Sequence, residues 1–143
     1  MPEKGAVALK PANITYEEAA TVPTGGLNAL HFLRKGNILG EEKVLINGAD
    51  GSIGTVAVQL AKHDGADVTG VDSMKKLDML KAIGANHVID YTQEDFTKNA
   101  QRYDLIIDVA AYRSTFDYKR ALSPKGAYGV IGGSKTRFFQ TVF

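Results

Sequence analysis

The chain has 143 residues, of which 44% are hydrophobic and 23% are charged, which is enough apolar material for one globular core. Seventeen basic residues balance sixteen acidic ones, and this near-neutral charge does not favour binding to nucleic acid or to an anionic membrane. The absence of cysteine excludes disulfides, thiolate zinc sites and a cysteine nucleophile within the chain. We find no apolar stretch of membrane-spanning length and no signal-peptide pattern, so we expect a cytoplasmic location.

Two helices are predicted ahead of the first strand. Thr15 and Glu18 have the spacing of a capping box, which predicts a short helix that stops before Pro23. A second helical pattern follows over residues 26–35. We expect residues 1–36 to form a helical lead-in and residues 37–143 to form the main domain.

From residue 43 onward, strand and helix patterns alternate. Strands are predicted at residues 43–47, 67–71, 87–90, 103–109 and 127–131. Helices are predicted at residues 53–62, 73–83 and 114–122, and a capping-box pattern over Thr92 to Asp95 predicts a further short helix. Such alternation predicts a parallel sheet with helices on both faces, which is the doubly wound α/β fold.

The most informative motif is the glycine-rich loop from Gly48 to Gly54, between the first strand and its helix. At this junction a dinucleotide-binding fold holds the diphosphate of its cofactor. Glycines there allow a tight turn and close approach of the backbone to the diphosphate, and the helix N-terminus offers N–H groups and a positive dipole end. Ala49 replaces the first glycine of the usual Gly-x-Gly-x-x-Gly pattern, so the motif alone also fits an ordinary glycine-rich connection.

Asp72 stands at the end of the second predicted strand, where a carboxylate accepts hydrogen bonds from an adenosine ribose. The loop and this acid together also fit two other classes of protein. One is a methyltransferase that binds S-adenosylmethionine. The other is a non-catalytic nucleotide-sensing module that recruits a partner through an exposed sheet edge.

No metal site or catalytic residue is predicted from the residue pattern. His31, His63 and His87 are scattered and lack the spacing of metal ligands. No tyrosine is followed by a lysine four residues later, which argues against a short-chain dehydrogenase.

Several motifs occur in the order typical of one enzyme family. They are Leu9-Lys-Pro-Ala, Val22-Pro23, the loop Gly48–Gly54, Val58-Gln-Leu-Ala-Lys62, Leu80-Lys-Ala-Ile-Gly-Ala85 and Gly132-Gly133. With them the chain resembles the medium-chain dehydrogenase/reductase superfamily, in particular its zinc-independent, quinone-oxidoreductase-like branch. The resemblance implies a Rossmann-type cofactor-binding domain from a longer enzyme, without the catalytic domain and without the final strand of the sheet.

The resemblance also implies an activity. The intact enzyme would be an NAD(P)H-dependent oxidoreductase that transfers hydride to or from a quinone, enone or carbonyl substrate. We expect the chain alone to bind the cofactor without turnover, because the substrate half of the cleft belongs to the other domain. A homodimer through the sheet edge is a further expectation.

The resemblance assigns the cofactor-binding residues by position. Gly48, Gly51, Ser52, Ile53 and Gly54 match the diphosphate loop. Lys76 and Tyr91 match the surroundings of a ribose 2′-phosphate, and Ser73 lies in the same segment. Asp108, Gly132, Gly133 and Ser134 match the nicotinamide half of the site, and Thr24 and Gly25 match a helix start that faces the cleft. Ala111 stands where the family usually has glycine.

The residues predicted around the ribose point to different cofactors. The carboxylate of Asp72 favours two free ribose hydroxyls, hence NAD(H), and repels a 2′-phosphate. Lys75 and Lys76 would attract that phosphate, although two lysines at a helix start are also ordinary surface residues. The preference between NAD(H) and NADP(H) is therefore open at this point.

Overall fold

The computed structural model describes residues 7–132, which form a five-stranded parallel sheet. The strands are β1 (Lys43–Asn47), β2 (Asp67–Asp72), β3 (His87–Asp90), β4 (Tyr103–Asp108) and β5 (Leu122–Val130). Their order is β3-β2-β1-β4-β5, and every neighbouring pair is parallel. The chain winds outward from β1 to β3 and then returns to β4, so β1 and β4 flank the point where the winding direction changes. The predicted doubly wound sheet is confirmed.

Helices cover both faces of the sheet. They are α1 (Tyr16–Lys35), α2 (Ser52–His63), α3 (Leu77–Ala82) and α4 (Thr115–Ala121), with one 3₁₀ turn at Met74–Lys76 ahead of α3. Buried residues of α1, α2 and α3 pack on the face that carries Val44 and Ile46 of β1. Leu45 points to the opposite face, as strand geometry requires, and there it joins Phe96 and Tyr118 of α4.

The N-terminal segment forms one helix rather than two. The capping box is present, since Thr15 Oγ1 accepts from the Glu18 amide at 3.1 Å and the Thr15 amide donates to Glu18 Oε2 at 2.7 Å. The predicted stop before Pro23 is wrong, because α1 continues through this exposed proline to Lys35. Proline removes one helical hydrogen bond. Burial of Ala29 and Leu33 in the sheet core holds the following turns in place.

The helix predicted from Thr92 does not form. The amide and the hydroxyl of Thr92 both donate to Asp90 Oδ1, at 2.9 and 2.8 Å. The amide and the hydroxyl of Thr97 donate in the same way to Asp95 Oδ1, at 3.0 and 2.7 Å. Short polar side chains that bond to nearby amides compete with the helix, and here two successive turns replace it.

Other boundaries differ by a few residues. The helix predicted at 73–83 begins as the 3₁₀ turn, and β5 begins at Leu122 because its pairing with β4 is irregular between Tyr103 and Leu105. Among residues 7–132, no helix combines the length and the apolar character needed to cross a membrane. The division of the chain at residue 36 stays a prediction, although α1 contributes to the same core as β1.

Candidate functional site at the carboxyl ends of the strands

Polar side chains end four neighbouring strands, and all four are buried. They are Asn47 of β1, Asp72 of β2, Asp90 of β3 and Asp108 of β4. In a parallel sheet these positions lie along one edge, where ligands of doubly wound folds bind. The glycine-rich loop leaves the sheet at the same edge, directly after Asn47.

Gly48 makes the turn out of β1. Its φ of +81° lies in the left-handed region, which suits glycine, and an added Cβ would lie 3.1 Å from the Ala110 amide nitrogen. The amides of Gly48 and Ala49 both donate to the carbonyl oxygen of Val71, at 3.1 and 3.3 Å. The loop is therefore fixed to β2 on one side and packed against the segment after β4 on the other.

Gly54 and Gly25 allow two close backbone crossings. A Cβ on Gly54 would lie 2.4 Å from the carbonyl oxygen of Gly48, so α2 packs directly against the loop. A Cβ on Gly25 would lie 2.4 Å from the carbonyl oxygen of Ser52, so α1 crosses the start of α2 at the same spacing. These glycines are needed for packing, and they set the position of the α2 N-terminus.

Gly51 differs from its neighbours because nothing in the fold requires a glycine there. It is the N-cap residue of α2 with an ordinary φ of −76°, and among residues 7–132 the nearest atom to an added Cβ lies 4.0 Å away. No side chain caps α2, and its first turn carries no acidic residue. Helix geometry leaves the first N–H groups, from Ser52 onward, without intrahelical acceptors. Open space in front of these donors fits a diphosphate.

A cavity of about 320 Å³ lies beside the loop. Its walls are Asn47, Gly48, Asp50, Val71, Asp72, Tyr91, Ala110 and Tyr112. The structure thus brings the predicted residues Gly48, Asp72 and Tyr91 together around one space. Asp50 and Tyr112 belong to the same wall, although the sequence analysis did not select them.

Asp72 faces this cavity with both oxygens held by backbone amides. Oδ2 accepts from the Asp50 amide at 3.0 Å and Oδ1 accepts from the Ser73 amide at 2.8 Å. The residue is 8% exposed, and this burial raises the pKa of its carboxyl above the ordinary value, with a further contribution from Asp50. Ser73 contributes its backbone to the site.

Lys76 and Tyr91 lie around the same corner. Lys76 Nζ forms an ion pair with Asp50 Oδ2 at 3.5 Å. The Tyr91 amide donates to the carbonyl oxygen of Asp72 at 3.2 Å, and its half-exposed ring lies 6.1 Å from the ring of Tyr112. The three residues that were predicted around the adenosine ribose, Ser73, Lys76 and Tyr91, are therefore neighbours of Asp72.

Asp108 has a different environment, since it is fully buried. Its Oδ1 accepts from Asn47 Nδ2 and from the Ala111 amide, both at 2.8 Å, and its Oδ2 accepts from the Tyr128 hydroxyl at 2.9 Å. Asp108 is predicted from the sequence to lie at the cofactor, whereas in the structure protein donors enclose its carboxylate. Asp108 holds the segment after β4, where Ala111 adopts a φ of +48° at the position that is usually glycine in the family.

Two tyrosines extend this network through Asn47. Its Nδ2 donates to the Tyr118 hydroxyl at 3.3 Å, and its Oδ1 accepts from the Tyr112 hydroxyl at 3.5 Å. Burial, followed by the charge of Asp108, raises the pKa of Tyr118 far above the ordinary value of a phenol. Tyr118 therefore stays neutral in the core. The one signal in the sequence that could have pointed to Tyr112 is its aromatic ring, four positions after the end of β4.

The nicotinamide half is only partly described. Gly132 lies against the segment after β4, since an added Cβ would lie 2.5 Å from the carbonyl oxygen of Val109. Gly133 and Ser134 lie outside the described residues. Within residues 7–132, no three side chains of His, Cys, Asp or Glu are grouped so that they could hold a metal ion.

A comparison with protein families identifies the chain. The model of the zinc-binding dehydrogenase family matches residues 52–141, which is more than half of the chain. The chain belongs to this family. Within the medium-chain dehydrogenase/reductase superfamily, it falls in the zinc-independent, quinone-oxidoreductase-like branch. The predicted resemblance is confirmed.

Relatives and solved structures agree with this assignment. The 2-methylene-furan-3-one reductase of Solanum lycopersicum is 36% identical over 108 residues, which cover 74% of this chain and 28% of that protein. The chloroplastic NADPH-dependent alkenal/one oxidoreductase of Arabidopsis thaliana is 32% identical over the same shares of both chains. The quinone oxidoreductase of Coxiella burnetii, with 30% identity, superposes with a TM-score of 0.80 over 91% of this chain and 42% of that one.

The chain spans less than half the length of each of these proteins. It corresponds to the cofactor-binding domain of NAD(P)H-dependent oxidoreductases, as predicted. Membership of this family favours an oxidoreductase over the methyltransferase and the sensing module.

Proposed function

We propose that the carboxyl edge of the sheet binds the dinucleotide of an enzyme that reduces quinones, enones or other carbonyl compounds with NAD(P)H. The observation that carries this proposal is the open space at Gly51, where glycine is needed neither for packing nor for backbone conformation. The uncovered N–H groups at the start of α2 can therefore donate to a bound anion.

Each part of the site would hold a different part of the nucleotide. Amides at the start of α2, at Ser52, Ile53 and Gly54, would donate to the diphosphate, and Gly48 would let it approach. Asp72 would accept from the adenosine ribose, beside Tyr91. When bound, the nicotinamide supplies the hydride chemistry, and the protein contributes binding and orientation.

The substrate class rests on the names of the relatives, which are a furanone reductase, an alkenal/one oxidoreductase and a quinone oxidoreductase. All three names describe carbonyl compounds or quinones. The cytoplasmic location stays a proposal as well, since the Arabidopsis relative is chloroplastic. The homodimer through the sheet edge also stays a proposal, and within residues 7–132 the edge strands are β3 and β5.

Calorimetric titration with NADH, NADPH and S-adenosylmethionine tests nucleotide binding. We expect saturable binding of a nicotinamide nucleotide, which Gly51→Val weakens about tenfold or more because a side chain keeps the diphosphate from the backbone. The fold tolerates this change, since the φ of Gly51 is ordinary and the nearest described atom lies 4.0 Å from an added Cβ.

Gly40→Val is the matched control. Gly40 likewise has open space around an added Cβ, with no atom of the described part of the chain within 4 Å, and it lies outside the loop, ahead of β1. We expect this variant to bind like the unaltered chain. Binding of S-adenosylmethionine alone, or equal affinity for nucleotide in the Gly51→Val variant, would contradict the proposal.

We expect the 143-residue chain to bind nucleotide without reducing a quinone. Oxidation of NADH or NADPH, followed at its absorbance maximum with a soluble quinone present, checks this expectation. Quinone-dependent oxidation well above that of a heat-denatured sample would show that residues of this chain suffice for turnover.

A further inference from the structure

Asp50 lies inside the glycine-rich loop and connects it to Lys76. Its backbone amide donates to Asp72 Oδ2 at 3.0 Å, while its own carboxylate lies 3.5 Å from Lys76 Nζ. The side chains of Lys76 and Asp50 are 49% and 36% exposed, so the ion pair lies at the protein surface. Asp50 and Asp72 line that cavity together.

This corner is the place where the two nicotinamide nucleotides differ. In a fold of this kind the ribose of the adenosine lies at the end of the second strand, which is Asp72 here. NADH brings two neutral hydroxyls to that place. NADPH brings a phosphate monoester, which carries about −1.5 to −2 charges near pH 7 and needs a cation.

The charges present at this corner do not favour the phosphate. The Asp50 carboxylate pairs with the ammonium of Lys76, and the Asp72 carboxylate accepts a hydrogen bond from the backbone amide of the same Asp50. Asp72 cannot turn away easily, because two backbone amides hold its two oxygens. Lys76 is already paired with Asp50, so a 2′-phosphate would have to displace one carboxylate while it remained close to another.

We propose that Asp50 is a specificity-determining residue of the nucleotide site proposed above, on which this inference rests. By neutralising Lys76, Asp50 favours NAD(H) over NADP(H). Asp72 binds the ribose hydroxyls, and Asp50 withholds Lys76, one of the two lysines in the turn Met74–Lys76 that a 2′-phosphate could pair with. The Arabidopsis relative is named for NADPH, so this chain would differ from it in cofactor choice.

The test compares the dissociation constants of NADH and NADPH, measured by calorimetry on the 143-residue chain at low ionic strength. We expect the unaltered chain to bind NADH more tightly. Asp50→Ser keeps the backbone amide and frees Lys76, so the ratio of affinities should move toward NADPH by about fivefold to tenfold. The shift should become smaller at high salt, since the pair is exposed.

Two further variants separate the mechanism from a general charge effect. Asp64→Asn removes one exposed negative charge at the far end of α2, about 18 Å away along the helix, and should leave the ratio unchanged. In a Lys76→Ala background, Asp50→Ser should have little effect on the ratio. Circular dichroism checks that each variant is folded, and loss of an exposed ion pair costs little stability.

Three results would overturn the inference while nucleotide binding is retained. They are a preference of the unaltered chain for NADPH, an unchanged ratio in Asp50→Ser, and an equal shift in the presence and absence of Lys76. Failure of the unaltered chain to bind either nucleotide is a different result, which contradicts the proposed function and this inference with it.

Discussion

Asp72 and Asp108 occupy equivalent positions, since each ends a strand next to β1 and each is buried. Their partners differ. Asp72 is held by two amides of the loop and the turn that border the cavity, whereas Asp108 is enclosed by a side-chain amide, a backbone amide and a phenol. One strand-end carboxylate is oriented toward a ligand space, and the other holds the wall behind it. The position of an acid at a strand end therefore does not define its role, which depends on the donors around it.

The largest expected effect is the difference in stability loss between removal of the Asp108 carboxylate and removal of the Asp72 carboxylate. Asp108→Ala removes the acceptor of three hydrogen bonds at a fully buried position, and should lower the free energy of unfolding by about 3–5 kcal/mol. Asp72→Ala should cost about 1 kcal/mol or less, because its amide donors border a cavity that water can enter. Urea unfolding measures both values.

If Asp108→Ala is too unstable to purify, Asp108→Asn keeps one acceptor oxygen and should lose roughly half as much. Equal losses for the alanine variants of Asp72 and Asp108 would show that the two carboxylates have the same structural role, and the distinction between them would fail.

The two loop glycines provide a second contrast, of intermediate size. Gly54→Ala places a methyl group 2.4 Å from the backbone oxygen of Gly48, which cannot move without shifting the loop, and should cost about 2 kcal/mol. Gly51→Ala meets no atom closer than 4.0 Å and should change the stability by less than about 0.5 kcal/mol. Thermal unfolding of both variants checks the difference. A loss in Gly51→Ala as large as that in Gly54→Ala would mean that Gly51 is kept for folding.

The smallest effect is expected for single hydroxyls of tyrosine. Tyr128→Phe removes one donor from the buried carboxylate of Asp108 and should cost about 1 kcal/mol. Tyr91→Phe alters a half-exposed side chain on the cavity wall and should be close to neutral. Denaturant titration at one pH compares the two. A larger loss of unfolding free energy in Tyr91→Phe would show that the hydrogen bonds important for stability lie on the Asp72 side of the sheet.

The strands and α2 were predictable because their signals are strong and local. The run from Lys43 to Asn47 is apolar and short, and the stripe along α2 has helical spacing. The predictions at Pro23 and Thr92 were wrong because burial in the core and side-chain hydrogen bonds outweighed the local sequence preferences. Burial of Ala29 and Leu33 keeps the helix intact after Pro23, and Asp90 takes the hydrogen bonds that would have capped a helix at Thr92.

For the site, the glycine loop and Asp72 could be selected because their spacing follows from the geometry of a strand, a turn and a helix. Asp50 and Tyr112 could not, since their importance depends on contacts with distant residues. Asp50 pairs with Lys76 of another element, and Tyr112 contacts Asn47 of β1 from the segment after β4. The burial of Asp108 likewise depends on Tyr128 of β5, which sequence spacing does not reveal.

The central claim is that the start of α2 holds the diphosphate of a nicotinamide nucleotide. The direct measurement is a titration of the ¹⁵N-labelled chain with NADH, in which backbone amide shifts are followed by NMR. We predict that the amides of Gly51, Ser52, Ile53 and Gly54 move most and saturate together, with Asp72 close behind. Saturable binding without a change in the chemical shifts of these amides, or no binding at all, would contradict this claim.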